Sequence, residues 1–235
     1  DDGCFYRIGT GEFTDSLALD SITRLSEKLV RYMAAKKNGI LELKTKSAVI
    51  GSLEGLEHGG RTVAAWSLNS ASTMKRDEFR VASLDERLRA AARCAEWGYK
   101  LAFHFDPIII HAGWEREYLA TIERLFELVP RENIVWISMG ALRFLPDLKR
   151  IGTARFPASR MYYHEFVEGL DGKSRYFRPE RAALYKKLYQ PLRRLAAPET
   201  CIYFCMESDE IWQEVMGFVP GDLGGLDKML DRTVQ

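Results

Sequence analysis

Two thiols stand four residues apart near the C-terminus, in the run Cys-Ile-Tyr-Phe-Cys-Met-Glu-Ser from Cys201 to Ser208. A cysteine in place of Ser208 would complete C-x3-C-x2-C, a spacing whose thiolates can wrap a [4Fe-4S] cluster. The run is apolar and β-rich, however, so it reads as a strand. Cys201, Tyr203 and Cys205 then share one face, and Ile202 and Phe204 take the other. Cluster cysteines need a loop, and free cysteine packs well as a small apolar residue, so these two are expected to be structural. A second chemical set is His104, Asp106 and His111 in HFDPIIIHAGW. His-x-Asp in a strand points both side chains to one face but supplies no third metal ligand by itself. Other polar groups follow apolar runs: GTGEFTDS at 9–16, with Glu12 and Asp15 as acceptors; KTKS, with Lys44 and Lys46; SLNS, with Ser67 and Asn69; and SMGALRF, with Arg143. The segment 173–194, KSRYFRPERAALYKKLYQPLRR, is basic with interleaved aromatic residues. Its Arg175, Tyr176, Arg178 and Arg193 could meet phosphates and bases, or line a solvated helix face.

These groups gain meaning from the elements that must carry them. Short β-branched or aromatic runs predict strands at 5–8, 40–44, 63–67, 100–105, 133–139 and 201–206. Helical periodicity fills the gaps at 20–36, 83–97, 115–128, 180–195 and 209–216, with short helices near 51–57 and from about 223. Ile22, Leu25, Leu29 and Met33 mark one helical face. Ser83 and Glu86 in SLDE form a capping-box pattern, and Gly98 sits where a helix C-cap glycine belongs. Alternating strands and helices imply βαβ units and a parallel sheet. In such sheets ligands bind at the C-terminal strand ends, where all five polar clusters fall. Residues 1–145 carry this alternation; 146–235 read as an extension, helical with one added strand. The chain has 235 residues, 46% hydrophobic and 29% charged, with a net charge of +1. That balance shows no global field for a polyanion, and no apolar run is long enough for a membrane span. Four cysteines without scaffold spacing fit a reducing cytoplasm.

Taken in order, GTGEFTDS, TKS, WSLNS, ERLRAAARCAEWGYKLAFHFDPIIIHAGWE and LRFLPDLKRIGTARFP resemble the spore photoproduct lyase family of radical S-adenosylmethionine enzymes. The resemblance covers nearly the whole chain and is most specific from Ser67 to Glu115. It implies a partial (β/α)6 barrel, S-adenosylmethionine, and a [4Fe-4S] cluster that reduces it to a 5'-deoxyadenosyl radical. It further implies that Thr10, Gly11 and Glu12 face the cofactor's amino group, that Lys46 lies near its carboxylate, and that Ser67 and Asn69 meet its ribose and carboxylate. DNA or another nucleic acid is the implied partner.

Two departures qualify this expectation. The family's C-x3-C-x2-C loop follows its first barrel strand, and neither is in this sequence. The chain is therefore expected to be a fragment with strands two to six, lacking the first, and to be inactive and cluster-free alone. The family's hydrogen-donor cysteine would fall at Glu12 or Phe13, which puts thymine-dimer repair itself in doubt. Two other classes compete with this reading: a nucleic-acid-binding module that has lost catalysis, and a metal-dependent (β/α) hydrolase using His104, Asp106 and His111.

Overall fold

A computed structural model describes residues 4–11 and 14–235. Five apolar runs become neighbouring parallel strands: β1 (Tyr6–Gly9), β2 (Gly39–Thr45), β3 (Thr62–Ser67), β4 (Lys100–Ile108) and β5 (Ile134–Ala141). In the run with the two C-terminal thiols, β9 (Cys201–Phe204) ends just before Cys205 and adds in parallel beside β5, giving the order β1-β2-β3-β4-β5-β9. The six strands curl into a half-barrel, as the fold class read from the sequence requires.

The helices between strands cover one face. They are α1 (Asp20–Thr23) and α2 (Leu25–Ala34), α3 (Ala71–Asp77) and α4 (Leu84–Glu96), α5 (Trp114–Leu128) and later α7 (Arg178–Leu195). Leu41, Leu43, Trp66, Phe103 and Phe204 point into this helical layer and meet Leu88, Tyr118, Leu125 and Leu188 in the main core. The alternate strand residues face inward. At the N-terminal end of that inner face Ile40, Val63, Ala102, Trp136 and Cys201 are apolar, and Leu230 and Val234 of the C-terminal segment close over them. Leu230 belongs to α9 (Leu226–Asp231); α8 (Asp209–Met216) packs near α7. Farther along each strand the inner face turns polar, and the site lies there.

Three local expectations are corrected. The helix read as 20–36 breaks at Arg24, whose φ is +47°. The cause is Asp20: its buried carboxylate accepts from the backbone N–H of Ser26 at 3.0 Å and from the hydroxyls of Ser26 and Ser52. It therefore caps the second helix, not the first. The helix near 51–57 is a single 3-10 turn, Gly51–Leu53. The segment after residue 139, read as irregular structure with short helices, does form a helix, α6 (Pro146–Arg155), but also β6 (Arg143–Phe144) and the hairpin β7 (Val167–Glu168) and β8 (Ser174–Arg175), with β8 central in a small antiparallel sheet.

The capping box at α4 is present: Ser83 accepts from the Glu86 backbone, and the Glu86 carboxylate takes the Ser83 N–H at 2.7 Å. Ser83→Ala removes a partner for a helix-terminal N–H. It is expected to lower the unfolding free energy by about 1 kcal/mol, read as a lower urea midpoint with unchanged slope.

Candidate functional site

The C-terminal ends of β1, β2 and β3 form one rim. The loop leaving β1 returns against β2 so tightly that a Cβ on Gly11 would lie 2.5 Å from the Lys44 Cβ; only glycine allows that approach. Thr10 and Ser16 close the loop through their hydroxyls at 2.8 Å. Asp15 fastens it to β2, accepting from the Thr45 hydroxyl at 2.6 Å and the Lys46 N–H at 2.7 Å. Glu12 and Phe13 lie outside the described residues, so the roles read for them have no placement here.

Lys46 is thereby aimed along the rim. Its ammonium is 2.8 Å from Glu78 Oε1, and the other oxygen of Glu78 takes Arg87 at 2.6 Å. Arg87 is wholly buried and also donates to the backbone carbonyl of Ser67 at 2.8 Å. Burial opposes the charge on Glu78, but Lys46 and then Arg87 outweigh it and hold the carboxyl below its usual range. Two cations share one carboxylate, so the Lys46–Glu78–Arg87 triad carries a net positive charge, with the Asp15 carboxylate against the Lys46 backbone. Glu78 and Arg87 were not singled out from sequence. The one textual signal was an arginine within the apolar stripe Leu84, Leu88, Ala91 of α4.

Below the rim, the inner face carries a polar layer across four strands. His104 lies 2.6 Å from Glu42 on β2 and 2.7 Å from Ser138 on β5. Tyr203, in register with Ser138, bonds to it from β9. Burial works against the charge of Glu42; the positive charge His104 can carry and Lys44 overcome it and lower its pKa. Burial, then Glu42, pushes the Tyr203 hydroxyl far up, so it stays neutral.

Next to this layer Arg143 grips both oxygens of Asp106, at 3.1 and 3.3 Å, and donates to Cys205 Sγ at 3.1 Å. A Cβ on Gly140 would stand 2.5 Å from Asp106 Oδ1, so a glycine there makes room for the pair. Burial and Asp106 push the Cys205 thiol up to about 11, against the pull of Arg143. His104, Asp106 and His111 do not converge: the third bonds to the Ser70 hydroxyl at 2.7 Å, away from the other two sets of partners. Among the described residues no group of three His, Cys, Asp or Glu side chains could hold a metal ion.

The remaining residues separate. Ser67 ends β3, buried, level with His104. Asn69 turns to the helical layer, where its oxygen accepts from the Ser70 N–H and the Tyr118 hydroxyl and its nitrogen donates to the Pro107 carbonyl at 3.2 Å. Of the basic segment, Arg175 pairs with Asp171 in the β7–β8 hairpin and Arg178 with Glu214 at 2.8 Å. Tyr176 is fully buried, its hydroxyl taking the Ile110 N–H at 3.0 Å. Arg193 donates to the Thr200 and Ala197 carbonyls beyond α7. Burial and backbone bonding therefore commit Tyr176 and Arg193 to the fold; the Arg175 side chain is only 15% exposed, while Arg178 at 52% remains on the surface.

A family model described as spore photoproduct lyase matches residues 6–195. The chain belongs to the spore photoproduct lyase family. It is similar to the spore photoproduct lyase of Bacillus subtilis, 27% identical over 188 residues, covering 79% of this chain and 53% of that protein. The spore photoproduct lyase of a Geobacillus species is 27% identical over 189 residues, covering 80% and 53%. The chain thus spans about half the length of the curated relatives it matches. A solved spore photoproduct lyase variant with bound AdoMet and dinucleoside spore photoproduct superposes with a TM-score of 0.78 at 25% identity, covering 87% of this chain and 62% of that one. A second structure of that enzyme, complexed with the dinucleoside, gives 0.76 at the same identity and coverage.

Proposed function

We propose that this chain supplies the cofactor- and substrate-binding wall of an S-adenosylmethionine-dependent lyase that repairs a nucleic-acid lesion of the spore-photoproduct kind. The carrying observation is the triad Lys46–Glu78–Arg87, net positive and partly open, at the C-terminal end of β2, whose inner face carries the carboxylate of Glu42 farther down. The residues fit the cofactor's amino-acid end. A half-exposed lysine pairs a carboxylate, and the Gly11 loop brings backbone groups close to where an ammonium would lie. Ser67 offers a hydroxyl beside them. Asn69, already engaged, positions the rim by joining the ends of β3 and β4 to α5.

Bound S-adenosylmethionine would supply hydrogen-atom abstraction through the 5'-deoxyadenosyl radical, released with methionine when a [4Fe-4S] cluster of the whole protein donates one electron. The chain's own part is to hold the cofactor's charged end, to keep Glu42 ionised through His104, and to keep a proton on Cys205 at neutral pH. The described residues do not fit a [4Fe-4S] cluster. Cys4 is exposed, Cys94 lies in the helical core, Cys201 opens β9, and Cys205 follows its end. Family membership supports the repair chemistry, and the bound molecules named for the solved relative support the substrate class.

The test is calorimetric titration of the chain with S-adenosylmethionine. A bond to a charged group contributes about 1.5–3 kcal/mol, so Lys46→Ala is expected to weaken binding by about 10-fold or more. Unchanged affinity in that variant would overturn the assignment of the rim.

A further inference from the structure

Helix α6 buries none of its residues. Leu148 and Ile151 are each 46% exposed, and Leu145 and Phe156 at its ends are 56% and 44% exposed. Apolar side chains this exposed are ordinary singly but informative as a contiguous patch. Here they are contiguous: Leu148, Ile151 and Phe156 line one groove with Phe79 and Tyr162, about 350 Å³ in volume. The floor is fixed, because Gly152 lets Tyr162 come so near that a Cβ there would stand 2.6 Å from its ring.

Two further features give the groove a chemical character. Phe79, 62% exposed, stacks on Phe156 with ring centroids 5.8 Å apart and 22° between planes, and Arg155 lies over Phe156 at 5.6 Å. Arg155 and Asp77 also line the groove; Asp77 is nearly buried and paired with Arg76 at 3.0 Å, and Asp147 is the single acid between residues 143 and 164. The patch also abuts the rim already described, since Phe79 follows Glu78, the partner of Lys46.

We infer that this patch binds a single-stranded or locally unpaired stretch of nucleic acid, with a base on the Phe79–Phe156 pair and a phosphate on Arg155. Arg76 takes the Asp77 carboxylate and leaves Arg155 to meet an anion, and a face-stacked aromatic pair under an arginine is a platform for a base. A fatty chain or an acidic peptide has no planar group to use it. The inference rests on the proposed nucleic-acid substrate and assigns it a surface apart from the hairpin and α7 residues.

The experiment measures fluorescence anisotropy of a labelled single-stranded 20-mer of mixed sequence, across a salt series, with heparin and anionic vesicles as competitors. Because α6 buries nothing, its variants should fold. Base–aromatic stacking at about 1–3 kcal/mol per base predicts that Phe79→Ala/Phe156→Ala weakens oligonucleotide binding about 10-fold and leaves heparin binding unchanged. Arg155→Glu should weaken both and flatten the salt dependence. Equal oligonucleotide affinity in all variants, equal loss of heparin binding in the aromatic variant, or vesicle binding without oligonucleotide binding would each overturn it. The S-adenosylmethionine titration on the same proteins separates the two readings. Intact cofactor binding with a patch-insensitive oligonucleotide sinks the patch alone. Patch-dependent oligonucleotide binding without cofactor binding sinks the rim assignment alone.

Discussion

Arg87→Ala is expected to lower the unfolding free energy by about 3–5 kcal/mol, the range for removing one partner of a buried ion pair. The guanidinium is wholly buried and has three kinds of partner: the Glu78 carboxylate, the Ser67 carbonyl at 2.8 Å and the Ala82 carbonyl at 2.9 Å. Truncation strands all three and leaves a cavity in the stripe that packs α4 on the sheet. Much of that cost is the uncompensated carboxylate, so Arg87→Met/Glu78→Gln should recover part of it. Urea melts of the single and double variants check both statements. A single-variant loss below about 1 kcal/mol would place the pair among those that contribute little.

The same carboxylates set an acid limit. Glu78 and Glu42 both have lowered folded pKa values. A depressed carboxyl stabilises the fold fully above its unfolded pKa, and that contribution is lost as pH falls through the lowered folded value. Stability should therefore drop through the acid range below about pH 4.3, the ordinary glutamate value. Glu78→Gln should flatten that drop. A melting series from pH 7 to pH 3 that shows equal slopes for the two proteins would contradict the linkage.

How much of this was legible in the residues can be seen strand by strand. The parallel strands are short apolar runs bounded by polar turns, and their order followed from the βαβ alternation. Periodicity could also place Cys201 and Tyr203 on one face, because a strand alternates without exception. It could not show what closes that face. Leu230 and Val234 reach Trp136 from nearly a hundred residues away, and no local pattern encodes such a contact. The helix break at Arg24 was invisible because it depends on Asp20 meeting Ser52 across the fold.

The rim residues were legible where chemistry is local: a glycine loop and a lysine after a strand. They were not where a charge is buried. Arg87 in the stripe of α4 and Arg181 in that of α7 look like lapses in an apolar pattern, and each proves to be the partner of a distant glutamate. Arginine at a core position of a helical stripe is thus the signal to follow. Tyr176 and Arg193 err the other way. Their types suit nucleic acid, but a tyrosine hydroxyl and a guanidinium serve buried backbone groups equally well.

Glu207→Ala is the second large effect, expected at about 3–5 kcal/mol of lost stability. Glu207 lies in the run that carries the two C-terminal thiols. It accepts from Arg181 at 3.0 Å and from the Tyr185 hydroxyl at 2.8 Å, with both charged side chains almost entirely buried. Tyr185 in turn accepts the Ala141 N–H at 2.7 Å. One carboxylate therefore ties the end of β9 to α7 and, through a tyrosine, to the end of β5. Ala141 also accepts from Arg143, which reaches Cys205. Loss of Glu207 should thus be felt at the thiol as well as in the melt. Cys205 is only partly exposed and its thiol is pushed up to about 11, so it should react slowly with a thiol reagent in the native chain. In Glu207→Ala its modification, mapped by mass spectrometry against the exposed Cys4, should quicken by about 10-fold or more, because the thiolate and its access both depend on local packing. Glu207→Gln keeps one acceptor oxygen for Arg181 and Tyr185 but loses the charge, and should fall between the two. A variant that unfolds at a lower urea midpoint while Cys205 reacts at the native rate would show that the carboxylate holds α7 without holding the rim.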